Sequence, residues 1–185
     1  LRTQTATAEP ADAAHSISIN AAQDIQIYSA ITALQVGADI TLNSDELILV
    51  DGLLDAADQL TVIGGSDETG AGLILPAFVF ETDGTGDLVL DGQGNPVRLQ
   101  GGTLRTAVGG SIILGADDKL VLSGVVGETF VNESGVEVAT TATIDVVKGG
   151  NVIVTTTLNA ADRIKFLATD ITLVAGSVIH TLGID

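Results

Sequence analysis

The sequence contains no cysteine, no methionine and no tryptophan. Without cysteine, neither a disulfide framework nor a thiolate metal site can form. Aromatic residues make up 3% of the chain, with Tyr28 the single tyrosine, so the core has to be built from Val, Ile, Leu and Ala. Thin aliphatic layers of that kind suit stacked repeats better than a bulky sandwich core. Basic residues are also scarce, 7 Lys and Arg against 24 Asp and Glu, for a net charge of -17. Nucleic acids and anionic membranes are both recognised through clustered Lys and Arg, so neither is expected as a partner. No apolar run is long enough to cross a bilayer: the longest, Ala71 to Phe80, is interrupted by Gly72 and Pro76. Amphipathic helical periodicity is missing throughout. No signal peptide is visible and the chain begins at Leu1, which suggests a processed protein or a piece of a longer one.

What the sequence does contain is a recurring strand cassette, two large apolar residues separated by one residue. It reads Ile25-Gln26-Ile27, Ile40-Thr41-Leu42, Leu47-Ile48-Leu49 and Leu60-Thr61-Val62, and returns as Leu88-Val89-Leu90, Ile112-Ile113-Leu114 and Leu120-Val121-Leu122. It closes with Ile144-Asp145-Val146, Val152-Ile153-Val154, Ile164-Lys165-Phe166 and Ile171-Thr172-Leu173. Strand side chains alternate between faces, so each cassette places two aliphatic groups on one side. The cassettes are entered through similar corners: Asn20 to Asp24, Asp55 to Asp58 and Asn159 to Asp162, each built around Ala-Ala. Ile40 to Leu60 and Ile144 to Ile164 are both intervals of 20 residues. A period near 20 with two or three short strands is the mark of a solenoid. The 22 glycines supply its tight corners, and corner Asp and Asn can bond local backbone N–H groups.

Residues 1–14, rich in Ala and Thr, read as a flexible terminus or linker, and 15–185 as a single β-repeat domain. Leu53 to Asp58 could make one short helical turn. The 20-residue register is lost between about Leu73 and Ala142, where two insertions, about 76–101 and 127–142, read as hairpins. The first has Asp91-Gly92-Gln93-Gly94-Asn95 as its turn, the second Asn132-Glu133-Ser134-Gly135. The expected fold is all-β: a right-handed parallel β-helix with two projecting hairpins. Several cassette positions expected to face outward are also apolar (Ile48, Ile74, Val89, Ile113, Val121, Ile153). They keep open a β-sandwich or jelly-roll filament subunit, in which a strand around His15 to Ile27 completes a neighbour's sheet.

These cassettes and Gly/Ala/Asp corners resemble, in texture, the repeat regions of large bacterial surface proteins. Filamentous-haemagglutinin-like and other giant repetitive adhesins are the examples, and the resemblance runs over about Ser16 to Ile184. It implies a right-handed parallel β-helix, secretion and a structural or adhesive role at the cell surface. Neighbouring copies or adjacent domains of the same fibre would then be the partners, with a glycan or cell-surface receptor as a further one.

Chemistry is sparsely signalled. Asp83, Asp87 and Asp91 are spaced by four around glycines, which suggests calcium as the one candidate cofactor. The stretch lacks tandem calcium-roll nonapeptides and the EF-hand glutamate, so a plain turn is the competing reading. Gln93, Asn95, Asn132 and Glu133 at the two turn tips are candidate binding residues, because insertions on solenoids often carry recognition. No nucleophile elbow or phosphate loop is present, and His15 and His180 lie at opposite ends. No enzymatic activity is expected. The functional expectation is an extracellular structural or adhesive fibre segment, with a strand-complemented filament subunit and a calcium-dependent carbohydrate-binding module as alternatives.

Overall fold

In a computed structural model, residues 15–68 and 70–182 are described. The expected flexible terminus, 1–14, lies outside the described residues. Every regular element among the described residues is a strand. Three six-stranded sheets, parallel throughout, account for eighteen of them. The chain visits the sheets in rotation, so each set of three strands forms one coil. Sheet 1 is built from Ile17–Ala21, Ile40–Ser44, Gln59–Gly64, Ser111–Ala116, Thr143–Lys148 and Arg163–Phe166. Sheet 2 contains Ile25–Ile27, Ile48–Val50, Ala71–Leu75, Lys119–Leu122, Asn151–Val154 and Asp170–Leu173. Sheet 3 contains Ile31–Ala33, Leu53–Ala56, Thr103–Thr106, Val125–Val126, Thr157–Ala160 and Val178–Thr181. The result is an all-β solenoid of six coils.

The register explains why the cassettes recur. One inward column runs Ile17, Ile40, Leu60, Ile112, Ile144 and Ile164 through sheet 1. The matching columns are Ile25, Ile48, Leu73, Leu120, Val152 and Ile171 in sheet 2 and Ile31, Leu54, Leu104, Val126, Leu158 and Ile179 in sheet 3. In coils 2 to 5 every member of these columns is 0% exposed. At about 1.5–3 kcal/mol for each buried aliphatic side chain, this interior is the main stabilising term. It also makes aromatics nearly dispensable, since aliphatic side chains fill the space between the three sheets and Phe166 packs on the core only in the last described coil.

The most deeply buried polar side chains among the described residues are two threonines. Thr106 stands in a sheet 3 column that also holds Ala33, Ala56, Ala160 and, in the last coil, Thr181, and it is 2% exposed. Its Oγ1 is 3.0 Å from Oγ1 of the fully buried Thr141, so one hydroxyl donates to the other. At the corner between sheets 2 and 3, Gly102 and Gly124 lie over one another. A Cβ on Gly102 would fall 2.2 Å from Val50 O, and one on Gly124 2.2 Å from Gly102 O, so only glycine fits.

The 20-residue register breaks in the middle because chain is inserted, not because the ladder stops. Successive coils are 23 residues apart at Asn20 and Asn43, 20 at Asp39 and Gln59, and 32 at Ser111 and Thr143. Asp55 meets the next coil at Arg105, 50 residues on. The long steps contain two antiparallel strand pairs, Val79–Phe80 with Arg98–Gln100 and Thr129–Val131 with Glu137–Ala139.

Four expectations are corrected. The Leu53 to Asp58 segment makes no helical turn: Leu53–Ala56 is a strand paired on both sides, with Leu54 buried. The third cassette is Ile48-Leu49-Val50 rather than Leu47-Ile48-Leu49, so Ile48 is an inward core residue at 0% exposure. Leu47 instead ends the corner, where its N–H bonds Asp24 Oδ1 at 3.2 Å. The sandwich alternative fails because all three main sheets are parallel. Its donor strand is also committed, since Ile17–Ala21 and Ile25–Ile27 pair with the second coil of their own chain. The other apolar residues expected to face outward (Ile74, Val89, Ile113, Val121 and Ile153) are half-buried. Leu49, Ile74, Val121 and Ile153 are ladder neighbours on sheet 2 and partly cover one another there.

Candidate functional site

Four turns of one design interrupt the scaffold. Each begins with Asp or Asn and has a glycine three residues later: Asp67 and Gly70, Asp83 and Gly86, Asp91 and Gly94, Asn132 and Gly135. In each, the N–H of the first residue bonds the carbonyl of the fifth, the glycine N–H bonds back to the first carbonyl, and the glycine has φ between 74° and 91°. The Asx side chain then satisfies further N–H groups. Asp83 Oδ1 accepts from Thr85 N (2.8 Å), Thr85 Oγ1 (2.7 Å) and Asp87 N (3.1 Å). Asp91 Oδ1 accepts from Gln93 N (2.8 Å) and Asn95 N (2.9 Å). Asn132 Oδ1 accepts from Ser134 N (3.1 Å) and Val136 N (2.9 Å). Bonds from Thr85, side chain first, hold the Asp83 carboxyl below the usual carboxylate range, and those from Asn95 and Gln93 do the same for Asp91.

The three carboxylates of the calcium expectation therefore fall into two neighbouring turns. Asp83 and Asp87 meet through Thr85, whose Oγ1 lies 3.2 Å from Asp87 Oδ2, and Asp91 opens the next turn. No group of three or more His, Cys, Asp or Glu side chains suited to a metal ion is found among the described residues. Gln93, Asn95 and Glu133 are exposed and Asn132 is half-buried. The segments bearing them are inserted after different sheets. The first arm follows Ala71–Leu75 of sheet 2, while the second lies between sheets 3 and 1.

The first arm is more than two paired strands. Phe80 pairs with Arg98, Thr82 with Leu88, and Leu90 with Pro96. Three backbone bonds close the segments into a ring: Glu81 N–H to Val97 O (2.8 Å), Val97 N–H to Val89 O (2.8 Å) and Val89 N–H to Glu81 O (3.0 Å). Val89 and Val97 are its most covered residues. The Phe78 and Phe80 rings stack at 6.1 Å, and the Arg98 guanidinium lies 5.5 Å from the Phe78 centroid while donating to Gly101 O. Asp51 accepts from Gly101 N–H and ties the arm's base to the solenoid.

On sheet 3, Arg105 bridges three coils. It donates to Asp55 Oδ2 at 2.7 Å and to Glu128 Oε1 at 3.1 Å. These bonds, Asp55 first, raise the arginine further against a smaller effect of burial.

The feature that sequence reasoning missed is a groove of about 640 Å³ at the corner between sheets 1 and 2. Asn20, Asn43, Asp45, Ile63, Asp117 and Lys148 line it, over a floor that includes Gly64 and Gly65. The glycines are imposed by the backbone, since a Cβ on Gly64 would fall 1.7 Å from Gly72 O and one on Gly65 1.9 Å from Asp45 O. Asn43 Nδ2 donates to Asn20 Oδ1 at 2.9 Å, and Lys148 Nζ pairs with Asp117 Oδ1. The one trace of the groove in the sequence is an Asn placed directly after each of two strand residues, Ile-Asn at 19–20 and Leu-Asn at 42–43. Comparison with family models, with curated proteins and with solved structures finds no match.

Proposed function

We propose that the chain is an extracellular structural segment of a bacterial surface fibre or stalk, without catalysis. In this reading the solenoid is a right-handed parallel β-helix and its two antiparallel arms project as hairpins. Right-handed winding follows the strong preference of parallel crossover connections, about 98%. The observation that supports the reading best is the three aliphatic columns, unbroken and dry through coils 2 to 5. Each coil adds about 4.8 Å of length and a new row of ladder bonds along the axis. Such a chain converts sequence into stiff length, which is what a stalk requires. The net charge of -17 keeps parallel stalks apart.

The test is immunogold labelling of intact source cells with antibodies raised against the folded chain. Label is expected on the outside of unpermeabilised cells; label seen only after permeabilisation overturns the reading. Melting curves in calcium and in EGTA test the cation variant, which requires a higher Tm with calcium.

A further inference from the structure

The corner groove has no part in a purely mechanical role. It runs across the strands, drawing its lining from coils 1 to 5, so its long axis follows the solenoid axis for about 19 Å at about 4.8 Å per coil. Its wall is stocked with acceptors. The Asn20–Asn43 bond uses the Asn43 amino group, and the Asn43 Oδ1 has no donor among the described residues. Asp45 is exposed and its carboxylate has no hydrogen bond or ion pair among the described residues. Asp117 and Lys148 form a half-exposed ion pair toward the far end, with side chains 50% and 54% exposed. A gap is held open beside this pair. Gly115 stands between Ile63 and Lys148 in the outward row, and a Cβ there would make ordinary contacts of 3.5–3.6 Å with both. Unlike Gly64, Gly115 is not demanded by the backbone, so its missing side chain leaves space rather than relieving a clash.

This composition narrows the occupant. Two carboxylates against one ammonium, on a chain of net charge -17, disfavour an anion. Ile63 with the small side chains of Ala21 and Ala22 gives too little apolar surface for a lipid or a hydrophobic helix. An extended peptide binds by adding to a free strand edge, and the strands crossed here have neighbours on both sides except in coil 1. Hydroxyl donors spaced along a chain that advances by about one coil per unit suit the acceptors that remain. We propose that this groove binds a segment of a neutral linear polysaccharide laid along the solenoid axis. No aromatic ring lines it, so binding rests on hydrogen bonds, and one groove is expected to hold its glycan at about 1 mM. Repetition of such a weak site along a fibre would raise the avidity. The proposal goes beyond the fibre reading and stands without it, because the groove can be tested on the isolated chain whatever surface labelling shows.

The test is an NMR titration of the isotopically labelled chain with cellohexaose, maltohexaose and N-acetylchitohexaose, each to about 10 mM. At least one is expected to shift the amides of Asn20, Asn43, Gly64 and Lys148 together, about tenfold more tightly than its trisaccharide. Asp45→Lys, at an exposed position, is expected to weaken binding by about tenfold or more with Tm unchanged, whereas Leu90→Ser on the first arm leaves it intact. Silence of the groove amides with all three hexasaccharides, or shifts confined to the arms, overturns the proposal. So does an oligolysine peptide that shifts these amides when none of the sugars does.

Discussion

Arg105 and Arg163 both hold a carboxylate in close contact, at 2.7 and 2.6 Å, yet the two pairs differ in what their loss exposes. The Asp55 side chain is only 10% exposed, so removing Arg105 strands a nearly buried carboxylate. Arg163 is 57% exposed, and its ion pair with Asp145 competes with water. Arg105→Ala is therefore expected to cost about 1–3 kcal/mol in urea unfolding, and Arg163→Ala is expected to leave the urea midpoint nearly where it was. The turn carboxylates respond to pH in a definite direction. Asp83 and Asp91 are depressed in the folded arm by Thr85 and by Asn95 with Gln93. Their stabilisation is complete above the usual carboxylate range and disappears as pH falls through the lowered folded values. Asn132 occupies the same place in its turn with an amide oxygen as acceptor, so an amide suffices for the geometry. Asp91→Asn is expected to keep the Gly94 amide resonance sharp down to acid pH, where the parent chain broadens; equal broadening in both would remove Asp91 from the account. These turns were legible in the sequence, because Asx followed three residues later by Gly carries its own mechanism. The Thr106–Thr141 bond was not, since an inward threonine amid alanines has no local signature.

Among the elements, strands were easier to read than their phase. The cassette spacing marks most inward pairs correctly, but Leu88-Val89-Leu90 falls in the first arm with both leucines exposed, and at Leu47-Ile48-Leu49-Val50 two alternations fit equally well. The corner bond from Leu47 to Asp24 decides between them, and it comes from the preceding coil. Leu53 to Ala56 was ambiguous for a related reason: Ala and Leu favour a helix locally, while pairing on both edges imposes a strand. The arms obey different energetics from the coils. In the first arm Phe80, Leu88 and Leu90 are 39%, 51% and 55% exposed, whereas the core columns are dry. Its two ends meet at the solenoid, where Gly102 N–H bonds Pro76 O at 3.0 Å. Replacing residues 78–100 with a short Gly-Ser link should therefore leave the ladders and the far-ultraviolet circular dichroism of the solenoid intact. In the parent chain, amide exchange should report small local opening energies for Val89 and Val97, and near-global values for Leu114 and Leu120. A solenoid that unfolds when the arm is removed would show that the arm is a structural clasp.

For the whole molecule, the solenoid is a one-dimensional array in which each coil is held by its two neighbours. The groove belongs to this scale, which is why no local motif announces it: Asn20 and Lys148 meet only because five coils bring their corners into line. Stability should also follow position in the array rather than residue type. Leu122 and Leu173 occupy the same sheet 2 column, separated by Val154. Leu122 is 0% exposed with coils on both sides, whereas Leu173 is 53% exposed in the last described coil, where Ile171 and Ile179 are 48% and 39% exposed. Leu122→Ala removes contacts on both sides and leaves a cavity, at a cost of about 2–5 kcal/mol. Leu173→Ala removes a side chain that is half in water already, and is expected to cost less than about 1 kcal/mol. Unfolding in urea, followed by hydrogen exchange, should show the sixth coil opening first and coils 2 to 5 exchanging through one larger event. Equal costs for the two substitutions would mean that the terminal coil is covered in solution, as stacking of a second molecule on that face would do.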